Sequence, residues 1–159
     1  MATATLNYAT AATITLTLAG LTNTSFRQSA VVDNTTNKYQ DAHLGGSIQV
    51  GTTPTDKSTI EVYLYGTFDG TAYTAGASGS DAAYTADGEE LLLVPAQIIQ
   101  VDTTTDQDYV WGPVSVAAAF GGYMPSKWGV VVKNATGVTL NATGTNNITK
   151  FIGIKTDIA

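Results

Sequence analysis

His43 is the only histidine in a chain of 159 residues that contains no cysteine. The lone histidine removes metal sites built on paired imidazoles and any relay that needs a second one. The missing thiols remove disulfides, zinc–thiolate centres and cysteine nucleophiles. A Ser-His-Asp arrangement stays arithmetically open, yet no serine stands in a G-x-S-x-G nucleophile elbow, so His43 reads as structural or solvated. Asp81, Asp87, Glu89 and Glu90, in one long loop and just after it, invite a calcium reading. Calcium takes about six to eight oxygens, and this spacing matches no EF-hand or repeat loop, so a solvated loop is expected. Asp69-Gly70 is a turn before it is a ligand. Glycoside cleavage by paired carboxylates needs two acids on well-defined strands beside aromatic platforms, and no pair is so placed. The expectation is a non-enzymatic protein, with no catalytic residue, no cofactor and no metal.

Recognition is better served than catalysis. Tyr63, Tyr65, Tyr73 and Tyr84, with Trp111, suit three different jobs. They are a platform for stacking sugars, cross-strand pairs that stiffen a sheet, or a patch between subunits. All three stay open at this point. Five N-x-S/T sequons, at Asn23, Asn34, Asn134, Asn141 and Asn147, are discounted as chance in so threonine-rich a chain. Their use also needs the secretory machinery, and the start of the chain has neither a basic segment nor an apolar signal core, since its first cation is Arg27.

The elements that must hold these residues are strands. From Tyr109 to Gly137 an aromatic strand passes Pro113 into an alanine-rich turn and returns at Trp128, with Trp128, Val130 and Val132 on one face. Ser115–Phe120 is the one credible helical turn, stopped by Gly121 and Gly122. Further strands are expected at Ala12–Leu18, with Ile14, Leu16 and Leu18 inward, and at Phe26–Val32, Ser47–Val50 and Thr59–Phe68. The list continues through Leu91–Val94, Ile98–Val101 and Val138–Ala142. Ile148–Ile154 completes it, with Ile148, Ile152 and Ile154 inward. A long glycine, serine and alanine loop spans Ala75–Gly88. Short strands with turns every 8–12 residues describe an all-β, single-domain antiparallel β-sandwich. A jelly roll is the first choice and a Greek-key immunoglobulin-like sandwich the second. Residues 1–12 read as a frayed end or as an arm that docks on a neighbour, and residues 13–159 as the sandwich.

Composition agrees. Charged residues make up 13 % of the chain, and the net charge is −6, which argues against nucleic acid and against an anionic membrane surface. No apolar run reaches the length of a membrane span. The lack of cysteine favours folding in a reducing compartment.

The run YLYGTFDGTAYT (Tyr63–Thr74) and the later run GPVSVAAAFGGYMPSKWGVVVKNATG (Gly112–Gly137) resemble small virion proteins of tailed bacteriophages. The closest likeness is to jelly-roll cement, or capsid decoration, proteins. The likeness covers the second half of the chain well and the first 50 residues poorly. It implies a protein folded in host cytoplasm and carried on the capsid surface of the virion. The implied partners are the major capsid protein and other copies of the chain, as a homotrimer or homodimer. It implies no active site, so no functional residue carries over. The candidate subunit or capsid contacts are Leu6, Tyr8, Tyr63, Tyr65, Tyr73, Tyr84 and Trp111. Deleting the arm is expected to leave the sandwich folded and to stop capsid binding. Tail, baseplate or head-fibre components are the alternative setting, and a carbohydrate-binding module is the alternative function.

Overall fold

Ile14, Leu16 and Leu18 are all buried, while the threonines between them face water, as the alternation requires. The computed structural model describes residues 2–158; Met1 of the expected arm and Ala159 of the expected sandwich lie outside the described residues. Among the described residues the chain forms β1 (Ala4–Tyr8), β2 (Ala12–Thr13), β3 (Phe26–Gln28), β4 (Val32–Asp33), β5 (Asp41–Gln49) and β6 (Thr59–Gly66). It continues with β7 (Ala82–Tyr84), β8 (Val94–Gln100), β9 (Asp108–Ser115), α1 (Val116–Ala119), β10 (Lys127–Ala135) and β11 (Ile148–Ile158). Two antiparallel sheets pack as a sandwich. One, the β11 sheet, runs β1-β11-β5-β9, with β2 also on β11. The other, the β10 sheet, runs β7-β3-β10-β6-β8, with β4 also on β10.

The expected helical turn is α1. Ser115 caps it by accepting the Ala118 amide at 3.0 Å, and Gly121 and Gly122, at φ +76° and +100°, end it. Between the sheets lie Leu44, Ile48 and Val50 of β5, Ile60, Val62 and Leu64 of β6, and Trp128, Val130 and Val132 of β10. Trp128 is fully buried and stands edge-on to Phe151 at 5.5 Å. Burial of such faces, at about 25 cal/mol per Å² of apolar area, is the main stabilising term.

Five expectations change. Leu91–Val94 is not a strand of its own: Glu89–Leu92 make a 3-10 turn, and β8 begins only at Val94. Ala12–Leu18 keeps its inward parity but forms a ladder only at Ala12 and Thr13. Past them Ile14 N bonds to Thr149 O (2.9 Å) and Ala30 N bonds to Thr15 O (2.8 Å), so the segment crosses from one sheet to the other. Phe26–Val32 is split into β3 and β4. Val138–Ala142 is not a strand. The buried Asn134 side chain donates to Leu21 O and Val138 O (2.8 and 2.7 Å) and accepts from Thr136, so side chain-to-backbone bonds replace a ladder there. In β11 the parity at the start is reversed: Thr149, Phe151 and Gly153 face the core, while Ile148, Lys150 and Ile152 face out. Packing of Phe151 on Trp128 decides this, because a one-residue slip would exchange every side chain between faces.

β11 also outlasts its neighbour. β5 begins opposite Ile154, so Lys155–Ile158 pair only with β1, from Ala4↔Ile158 to Tyr8↔Ile154. Described from Ala2 onward, the expected arm is thus an edge strand on its own chain, not a frayed end.

Candidate functional site

Alternation along β6 puts Glu61, Tyr63 and Tyr65 on the outer face of the β10 sheet, opposite the core residues Ile60, Val62 and Leu64. Tyr65 stands beside Gly129 of β10, and its ring occupies the space a Cβ at that glycine would need. Its hydroxyl donates to Ser29 O at 2.8 Å, and the Tyr73 ring meets it at right angles, 5.6 Å away. Burial pushes the Tyr65 pKa up to about 12. Tyr84 donates to Ala75 O at 2.7 Å and tilts against Phe26. With Ala75, Ala77, Leu93 and Val131 these rings form a second, smaller core. Residues 67–93 therefore fold back as a strap over the outer face of the sheet.

Polar clasps hold the strap. Asp69 accepts from Thr67 Oγ1, Thr71 N and Ala72 N at 2.8–2.9 Å, which holds its carboxyl below the usual range. Lys127 Nζ donates to Gly70 O. Asp81 takes Arg27 Nε at 2.7 Å together with the amide and hydroxyl of Thr17. Burial alone would raise the Asp81 pKa, but these donors outweigh it and the net shift is downward.

Tyr65 and Tyr84 are accordingly interior residues, only 0 % and 6 % exposed, and cannot touch a partner or a sugar. Trp111 is corrected more sharply. At 3 % exposure it faces inward between the sheets, opposite Gly46. Tyr73 is half-buried against Tyr65. Tyr63 remains partly accessible. It donates to Glu61 at 2.5 Å, and burial followed by that carboxylate pushes its pKa to about 12. Lys133 bridges to Glu61 at 3.2 Å and lies 5.6 Å from the centre of the Phe26 ring. Phe26, Tyr63, Glu90, Leu91, Leu93, Pro95 and Lys133 line a groove of about 380 Å³; Leu91 is exposed, as are Leu92 next to it in the chain and Ile98 opposite Glu61.

Leu6 and Tyr8 belong to the opposite side of the molecule. They lie on the outer face of the β11 sheet with Ala4, Ile152 and Ile158, and at 56 % and 61 % exposure no other described residue covers them. Tyr8 approaches His43 with ring centres 6.2 Å apart. Beyond His43 opens a groove of about 570 Å³, lined by Ala11, Gly45, Val110, Pro113, Lys150 and Ile152. Gly45 sits at a bulge where a Cβ would come 2.7 Å from Trp111 O, so close backbone approach requires the glycine. The other face of the β1/β11 ribbon is polar, with Asn7 donating to Asp157 at 2.6 Å and Lys155 paired to it at 3.3 Å.

The sequence reading joined all seven candidates in one contact set; the structure divides them between two outer faces and the interior. It missed the buried asparagines. Asn134 at 0 % exposure, Asn34 at 6 % and Asn147 at 7 % tie loops to strands. Their signal was in plain view as Asx-turn patterns inside the discounted sequons, as in Asn134-Ala-Thr136-Gly137. Among the described residues no three metal-binding side chains come together, and no described helix is long and apolar enough to cross a membrane. In comparisons with known proteins, no family, no curated protein and no solved structure matches this chain.

Proposed function

We propose that this chain is a non-enzymatic structural protein of a tailed-bacteriophage virion, a cement or decoration protein bound on the outer shell between major capsid subunits. One observation carries the reading: a sandwich closed by its own strap still exposes apolar side chains on both broad faces. Leu6, Tyr8, Val110 and Ile158 lie on one side, and Leu91, Leu92 and Ile98 on the other. Exposed apolar patches rimmed by polar residues mark contact surfaces. A cement needs two of them, one for the shell and one for its own copies. The way the chain alternates between sheets supports the jelly-roll reading, and the resemblance of Tyr63–Thr74 and Gly112–Gly137 supports the phage setting.

The exposed apolar residues Leu91, Leu92 and Ile98 are the proposed shell contact. Whatever binds only the assembled shell stabilises it by mass action. Mass spectrometry of purified particles tests the reading. Cement is expected at a copy number comparable with the major capsid protein, a tail, baseplate or head-fibre part at a far lower one, and absence from particles refutes both. The Phe26–Tyr63 groove, with an accessible ring beside Glu61, Glu90 and Lys133, favours a second reading as a carbohydrate-binding module. Glycan-array binding lost in Tyr63→Ala would support it.

A further inference from the structure

Among the described residues no strap crosses the outer face of the β11 sheet. Strand parity gathers Leu6, Tyr8, Ile148, Ile152, Ile158 and Val110 on it, and the groove at Gly45 lies in its middle. At its end the β1/β11 ribbon continues past β5 with one apolar and one polar side, although both are exposed. A two-stranded ribbon is marginal in water unless its apolar side is packed.

We propose that this face is the interface of a homodimer, with a second copy of the chain laying its own β11-sheet face against it about a two-fold axis. The inference rests on the self-association within the reading above and names the surface that performs it. Size is the first argument. Strands β1, β11, β5 and β9 hold 5, 11, 9 and 8 residues, and at roughly 4.8 Å by 3.3 Å per residue they give a plan area on the order of 500 Å², before the relief of the side chains adds to it. Each partner in a stable interface contributes about 800 Å².

Charge is the second argument. At −6 per chain, two copies repel unless they meet where acid is scarce. On this face the Asp41 carboxylate is held by Ser115 Oγ and Ala117 N at 2.7 and 2.8 Å. Lys150 and His43 stand in the groove, and Asp108 lies at the β9 edge. The groove on the opposite side of the molecule carries Glu90 and has Glu61 beside it, so pairing two copies there would set acid against acid. An isologous contact uses the same patch twice, so a single substitution acts from both sides.

Sedimentation of the full chain over a wide concentration range, without any shell, tests the proposal. The expected result is a dimer that Val110→Glu and Leu6→Glu each weaken about tenfold or more. Circular dichroism should stay unchanged, because both side chains are exposed in the single chain. Leu91→Glu, on the other face, should leave the dimer intact. A chain that stays monomeric, one that forms trimers, or a dimer indifferent to Val110→Glu and Leu6→Glu overturns the proposal. So does a monomer whose binding to particles is lost through Val110→Glu, which would give the face to the shell. A dimer that forms as expected but is absent from particles would instead count against the virion reading alone.

Discussion

Two sheets of one sandwich each carry a tyrosine-bearing outer face, and they end in opposite states. On the β10 sheet, Tyr65 is fully buried because residues 67–93 return over it and because Gly129 beside it leaves room for the ring. On the β11 sheet, Tyr8 remains 61 % exposed, beside an open groove, because among the described residues no segment comes back across it. The difference lies not in the strands but in the connections. β6 leads into a long segment with apolar anchors and polar clasps, whereas β1 is joined to β2 by three residues, Ala9–Ala11, and reaches no further. Cover over a sheet is a property of its loops.

Four measurements sharpen or break this contrast. Tyr65→Ala is expected to cost about 4 kcal/mol in urea unfolding, since it empties the second core and removes the hydroxyl bond to Ser29. A loss under about 1 kcal/mol would mean that the strap adds little. Asp81→Ala should cost about 2 kcal/mol by leaving the half-buried Arg27 unpaired, and it should raise amide exchange in β7 more than in β5.

Acid should act on the same side. The folded-state pKa values of Asp81 and Glu61 are depressed, because donors outweigh burial at both. Their contribution is fully present above the unfolded carboxylate value and is lost as pH falls through the lower folded value. Exchange of strap amides is therefore expected to rise below about pH 4, ahead of the β5–β11 ladder; simultaneous loss would break the distinction. Smallest of all, Tyr8→Ala should change the stability of the single chain by no more than about 0.5 kcal/mol, as thermal unfolding at high dilution would show.

Alternation along Thr59–Gly66 and Lys127–Ala135 was readable because a period of two belongs to the strand itself, whatever it packs against. Gly121 and Gly122 likewise announced the end of α1, since left-handed glycine acts within a few residues; the Ser115 cap was seen only in the structure. The reversed parity at the start of Ile148–Ile154 was not readable, although Ile154 itself is buried as expected. Isoleucine at alternate positions says that one side is apolar, and only Phe151 meeting Trp128 says which side is in. The same limit governs the contact residues. Tyr65, Tyr84 and Trp111 looked like surface aromatics because nothing local distinguishes a covered ring from an open one.

The amino-acid order by itself determined an all-β chain with solvated threonine faces, one α-helical turn and no cysteine chemistry, because these follow from residue type and near spacing; the 3-10 turns at Thr74–Gly76, Glu89–Leu92 and Gly144–Asn146 were not foreseen. Which face a strap covers and which stays open, and hence where another molecule can sit, was decided only by tertiary structure. It depends on contacts between residues far apart in the chain, such as Arg27 with Asp81 and Tyr65 with Ser29.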